Sequence, residues 1–289
     1  YYICQHFSRN FILVSQSAHA GTYCQGVQVV IHEDDDKKHL EINSRKLKDD
    51  LAGYIDQEMS KGKNKEVIQL CGADQKCFEY FVEHYGSTYR FISLFKCQLI
   101  SDLSPLEKMH KLEYVDIFWN IRATELWDIS KNKRLKALRI NDCKKLTLNP
   151  KFPTENVTLE ELEFGGDMDS KYPMETLQSF SVLSSLKKLE LYCIKPKENS
   201  LGFLDDLPNL KEFNFDAGMF TTEEIAFICA KHPHLKGQYL GPYGEGYGNT
   251  QVRVSGFRKP TLELPRQQRV LDKYIKNFEK LVKMYSEEV

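Results

Sequence analysis

No apolar run in these 289 residues approaches the length of about 18 that a helix needs to cross a bilayer. Phe11-Ile12-Leu13-Val14 is only a strand-length run, and no signal-peptide pattern is visible. The chain opens on Tyr1 rather than Met, which leaves a cleaved secretion signal open. Excess charge is missing too: 40 Lys and Arg against 41 Asp and Glu leave a formal charge of -1. Such a balance offers no general attraction to nucleic acid or to an anionic membrane, so neither is expected as a partner.

The signatures of catalysis are also missing. There is no H-E-x-x-H, no G-x-S-x-G, no C-x-x-C pair and no V-A-I-K or H-R-D motif. Gly244-Glu245-Gly246-Tyr247-Gly248 lacks the G-K-[ST] end of a phosphate-binding loop and misses the G-x-G-x-x-G spacing. A non-catalytic chain without a cofactor is therefore expected. Metal sites fare no better. The acidic run Glu33 to Asp36 lacks the Gly and terminal Glu of a calcium loop and reads as a solvated hairpin tip. Cys71 and Cys77 stand at no common zinc spacing, and Pro233 keeps His232 and His234 from chelating together.

Eight cysteines are present, scattered over the whole length. Several fall where a buried small side chain is wanted, which suits reduced thiols and a cytoplasmic location. Asn156-Val157-Thr158 matches a glycosylation sequon, a pattern that needs a secretory setting.

One pattern recurs at a fixed interval. Tyr89, Ile92, Leu94, Cys97 and Leu99 make its first full copy, and Leu112, Val115, Ile117 and Asn120 repeat the spacing. Leu135, Leu138, Ile140 and Cys143 repeat it once more, at the same distance again. Extending the second strand residue in both directions gives Leu70, Leu94, Ile117, Ile140, Phe164, Leu191, Phe215 and Leu240, at steps of 23 to 27. The L-x-L core is a strand signal, and Asn or Cys after it can bond the backbone of the turn that leaves the strand. Leu103, Leu106, Met109, Leu126, Ile129, Phe180, Leu183, Leu204 and Leu207 supply apolar groups to the return segments. The longest step holds Gly165 to Pro173, where a loop insertion belongs.

This pattern resembles the leucine-rich repeat family, with short internalin-like units. The resemblance implies an α/β solenoid with a curved parallel sheet on its concave face, spanning residues 67–240. Residues 1–66 are expected to form a β-rich cap with one helix, capped by Ser44 and carrying Leu47, Leu51, Ile55 and Met59 up to Gly62. A second helix is expected over Cys77 to Tyr85, ending at Gly86. Residues 241–289 are expected to form a mobile loop, a strand at Gln251 to Ser255 and a capping helix striped by Val270, Leu271, Tyr274, Phe278, Leu281, Val282 and Tyr285. That helix is amphipathic, but Asp272, Glu279, Glu287 and Glu288 dilute its lysines, so a cap explains it more simply than a membrane anchor.

Side chains that alternate with the strand leucines face the concave side. They predict a partner-binding surface of Phe95, Tyr114, Asp116, Phe118, Trp119, Arg139, Glu163, Glu190, Tyr192 and Asp216. Aromatics beside carboxylates suit a protein or peptide with an apolar anchor and basic neighbours. The alternatives are the recognition part of a longer enzyme, or a carbohydrate or small-ligand binder using Trp119 and the aromatics.

Overall fold

A computed structural model describes residues 39–41, 50–61, 66–155, 157–166, 171–198, 200–246 and 248–287. The strands expected before residue 39, together with Ser44, Leu47, Gly62 and Asn156, lie outside the described residues. The described residues are mixed α/β, with a large parallel sheet and, among them, no closed barrel. The chain divides into two compact units: residues 1–123 with 127–139, and residues 124–126 with 140–289.

In the first unit β1 (His39–Glu41) precedes α1 (Leu51–Lys61), β2 (Val67–Cys71), α2 (Gln75–Tyr85), β3 (Phe91–Phe95) and β4 (Tyr114–Phe118). These four strands pair in sequence order, all parallel. The repeat interval is a register: Phe91 stands beside Tyr114, Ser93 beside Asp116, and Phe95 beside Phe118. Alternation sends Ile68, Leu70, Ile92, Leu94, Val115 and Ile117 into the core, where all are buried. Return residues Leu103, Leu106, Met109, Leu112, Trp127 and Ile129 meet them there. The returns after β3 and β4 are short 3₁₀ turns at Ser104–Lys108 and Ile129–Lys131, whereas the return between β2 and β3 holds the 11-residue α2.

Helix α2 shows why a terminus falls where it does. Asp74 Oδ1 accepts the Cys77 N–H at 3.0 Å, and Cys77, Phe78, Phe81 and Val82 form its buried face. Gly86 does not stop it with a left-handed residue: its φ of -57° carries the chain into a 3₁₀ turn over Gly86–Thr88. Helix α1 starts at Leu51, where Asp50 Oδ1 accepts the Gly53 N–H at 2.9 Å. Asp50 thereby satisfies an orphan N–H of the first turn, while Ser44, the expected cap, lies outside the described residues.

Strand β5 (Ala137–Asn141) falls at the division between the units. The second unit continues with α3 (Lys144–Leu148), β6 (Glu161–Gly165), β7 (Tyr172–Thr176), β8 (Lys188–Tyr192), β9 (Ile194–Glu198) and β10 (Glu212–Phe215). Strands β6, β8 and β10 are parallel neighbours with Leu162, Leu189 and Phe213 in one row. Phenylalanine takes over much of this core. Phe180 meets Phe164 at 5.8 Å between ring centroids, Phe203 meets Phe213 at 6.1 Å, and Phe220 meets Phe215 at 4.9 Å.

The expected insertion after Gly165 contains a strand that the sequence pattern does not reveal. Strand β7 pairs in parallel with β9 as a separate two-stranded sheet. Two expectations for the C-terminal end are corrected. The last strand, read at Leu235 to Leu240, is absent: only an isolated bridge joins Lys236 to Glu212, and a helix, α4 (Thr222–Lys231), precedes it. A complete capping box of Thr221 and Glu224 nucleates that helix. The loop expected over residues 241–250 contains β11 (Tyr243–Glu245), which pairs antiparallel with β12 (Gln251–Val254) and, through it, with β13 (Thr261–Glu263). Val254 and Leu262 from this small sheet pack on Leu271 of α5 (Gln268–Glu287). Phe278 is buried as expected, whereas Val270, expected on the same stripe, is exposed. Val270 stands about 80–100° around the helix from Leu271 and Phe278, at the flank of the buried face rather than on it.

Candidate functional site

After β2, β3, β4, β5 and β8 the next residue is left-handed. Gly72, Lys96 and Trp119 do this in the first unit with φ of 65°, 55° and 57°; Asp142 and Cys193 do it in the second with 54° and 51°. The turn carries the parallel ladder one bond further, as Gly72 N–H donates to Phe95 O at 3.0 Å and Lys96 N–H to Phe118 O at 2.9 Å. Only the glycine occupies this conformation without a steric penalty. The residue types filling the slot share no pattern, so sequence inspection does not find it.

Below the slot sits the Asn or Cys position. Asn120 is 1% exposed; its Nδ2 donates to Cys97 O (3.0 Å) and Ile100 O (2.9 Å). Its Oδ1 accepts the N–H groups of Arg122 (3.0 Å) and Ala123 (2.8 Å). Cys97 Sγ donates to Leu70 O at 3.2 Å and Cys143 Sγ to Asn141 O at 3.2 Å, which is the weaker thiol substitute expected. None of the six described cysteines is in a disulfide. Burial pushes Cys97 up to about 12. Asn132 plays a second such role unforeseen from the pattern: it binds Leu106 O and Met109 O through Nδ2 and accepts the Trp127 indole N–H at 2.6 Å.

Above this framework the first unit carries an aromatic group. Phe95 and Phe118, register partners, stack with centroids 5.3 Å apart and planes 12° from parallel. Trp119 follows on the rim, 37% exposed, and Ile121 is 50% exposed. Lys96 lies between two rings, its Nζ 5.1 Å from the Phe95 centroid and 5.3 Å from that of Trp119. Lys96 and Trp119 both sit in left-handed slots, so the strand-end turn is what turns these side chains outward.

The other expected residues of this unit are differently placed. Tyr114 packs with Phe91 and Ala137 in a small cluster and is buried. Asp116 and Arg139, expected on an open face, are also buried. Ser93 Oγ donates to Asp116 Oδ2 at 2.8 Å, a bond between register partners. Strands about 4.8 Å apart bring such side chains into mutual contact, and they cover one another.

The second unit holds the expected carboxylates, and each is bonded within its own sheet. Glu163 accepts from Asn141 Nδ2 at 2.7 Å, and Asp216 Oδ2 accepts the Cys193 N–H at 2.7 Å. Glu190 is 2% exposed and lies 3.2 Å from Lys188 Nζ and 3.3 Å from Asn214 Nδ2. Burial and the neighbouring Glu163 push its pKa up to about 8, against the pull of Lys188 and Asn214. Tyr192, opposite Gly165, is half-buried. Thus Phe95, Phe118 and Trp119 come together as one surface, whereas Asp116, Arg139 and Glu190 belong to the interior.

Comparison with protein-family models and with curated proteins finds no match for this chain.

Proposed function

We propose that this chain is a non-catalytic, leucine-rich-repeat-like solenoid that binds a protein or peptide partner through the aromatic surface of its first unit. The repeat reading is supported by parallel strands in a near-constant register, by short returns, and by Asn120, Cys97 and Cys143 bonding backbone at one repeat position. The binding reading rests on one observation above all. Trp119 is an exposed aromatic in a left-handed slot that Gly72 fills in an earlier unit of the repeat. Holding a bulky residue there costs roughly 1–2 kcal/mol, and more than a third of the Trp119 surface stays open to solvent. Stacked Phe95 and Phe118 beside it supply the broad apolar area on which interface anchors depend.

The test begins with peptides selected from a random library on the wild-type protein. Affinities of the recovered peptides are then measured on Phe118→Ala by titration. A central aromatic anchor contributes about 2 kcal/mol or more, so a loss of at least roughly thirtyfold is expected. Equal affinity for the folded Phe118→Ala protein, or no peptide recovered at all, refutes the proposal.

A further inference from the structure

Helix α5 carries Arg269, Lys273, Lys276, Lys280 and Lys283 at alternating steps of four and three, and all five are exposed. That spacing puts them on one face, in a row about 21 Å long. The opposite face holds buried Leu271 and Phe278, and Tyr285 packs edge-on to Phe227 of α4 with centroids 5.6 Å apart. The helix is therefore fixed to its unit by its apolar side and turns the cationic row outward. Residues 266–283 contain six Lys and Arg against Asp272 and Glu279, within a chain of net charge -1. Asp272 and Glu279 flank the row, four residues before Lys276 and Lys283, and leave a surplus of four positive charges over residues 266–283. Asp272 accepts from Gln268 at 2.9 Å. Among the described residues the row makes one ion pair, between Lys283 and Glu287 at 3.9 Å.

Apolar side chains stand exposed beside the cations. Val270 is three residues before Lys273 and Met284 four after Lys280, so each adjoins the row. Phe257, 55% exposed in the turn between β12 and β13, carries the Arg258 guanidinium 4.9 Å above its ring. The neighbouring Lys259 reaches Tyr274 of α5, its Nζ 5.7 Å from the ring.

We propose that this face of the second unit docks peripherally on an anionic lipid bilayer. A straight row of cations meets a flat anionic surface along its whole length, and each Lys or Arg near such a surface adds to the attraction. The exposed Val270, Met284 and Phe257 decide between polyanions. A duplex phosphate backbone gives exposed aliphatic side chains such as Val270 and Met284 little to bind, whereas a headgroup layer accepts apolar side chains beside the basic ones. No described helix is long and apolar enough to cross a membrane, and attachment of this kind requires none.

The experiment is flotation of the whole protein with vesicles of phosphatidylcholine, alone or with about one third phosphatidylserine. Binding is expected to the anionic vesicles only, falling at least tenfold as salt rises from about 0.05 to 0.5 M. The double variant Lys276→Glu, Lys280→Glu should lose at least tenfold while melting as the wild type does, and Phe257→Ser should lose a smaller part. Phe118→Ala should float as the wild type does, which keeps this outcome independent of the peptide-binding proposal. Failure to float, or undiminished flotation of the charge-reversed protein, overturns the proposal. So does tighter binding of a random-sequence DNA duplex or of polyglutamate than of the vesicles.

Discussion

Asn120 offers a direct test of what holds the first unit's turns together. Its side chain makes four hydrogen bonds, two donated to Cys97 O and Ile100 O and two accepted from Arg122 and Ala123. At 1% exposure, water does not replace those partners when the side chain is cut back to Ala. A net value near 1 kcal/mol per bond gives a loss of about 4 kcal/mol, larger than the transfer value of the few atoms removed. Asn120→Cys should lose less, because a thiol at the equivalent position of Cys97 still donates to a carbonyl. One bond of four restored leaves a loss of about 3 kcal/mol. The assay is urea unfolding followed by tryptophan fluorescence. Both tryptophans, Trp119 and Trp127, lie in the first unit, so the signal reports on the unit that contains the substitution. A loss under about 1 kcal/mol for Asn120→Ala, or a Cys variant no better than the Ala variant, would refute the view that this side chain bears the turn.

Three further outcomes are expected. Glu190 has a folded-state pKa of about 8, above its ordinary value of 4.5, because of burial and Glu163. Its contribution to stability is therefore full below pH 4.5 and is lost as pH rises toward 8, with a slope of at most about 1.4 kcal/mol per pH unit. Glu190→Gln should flatten the pH profile of the melting temperature across that window, and an unchanged profile refutes the assignment. Denatured, non-reduced protein should titrate close to eight thiols, while Cys97 and Cys143 stay unreactive in the native state; four disulfides would overturn the repeat register itself. Trp119→Gly should leave folding within about 1 kcal/mol, since relief of the left-handed strain offsets the greater freedom of glycine in the unfolded chain. The same substitution should remove binding of the selected peptides, and retained affinity would place the contact elsewhere.

The strand register was legible because its cause is local and periodic. Ile92, Leu94, Val115 and Ile117 alternate with polar or aromatic partners, and their spacing reappears as the pairing of Phe91 with Tyr114 and Phe95 with Phe118. Asn120 was legible for the same reason, as one residue type with one backbone duty. Burial of Asp116, Arg139 and Glu190 was not, since alternation tells which face a side chain takes but not what covers it. The pairing of β7 with β9 joins Tyr172 to Ile194 and Met174 to Pro196, in a stretch without leucine periodicity, so no pattern marks it. Strand β11 hides among glycines that read as a loop, although its backbone finds partners in β12. The bond from the Gly53 N–H to Asp50 was not foreseen, because Ser44 offers the same chemistry earlier in the chain.

The left-handed slot separates what the repeat demands from what it leaves open. Its backbone duty is the same for Gly72 and Lys96, whose N–H groups each bond the strand that follows. A sequence shaped only for stability would place Gly or Asn in every slot, because those residues enter the left-handed region with least strain. Instead the described slots hold Gly72, Lys96, Trp119, Asp142 and Cys193. In the second unit Asp142 accepts the hydroxyl of Tyr172, which starts β7, and Cys193 gives its N–H to Asp216. Those two are accounted for by contacts inside the unit. Lys96 gives its N–H to Phe118 O much as Cys193 gives its own to Asp216, but its side chain rests on the rings of Phe95 and Trp119, and Trp119 stands on the rim of the same group. Strain kept at an exposed aromatic rim supports the contact surface proposed above. The first unit's rim is thus the place where this fold departs from its own economy, and where a binding partner should be sought.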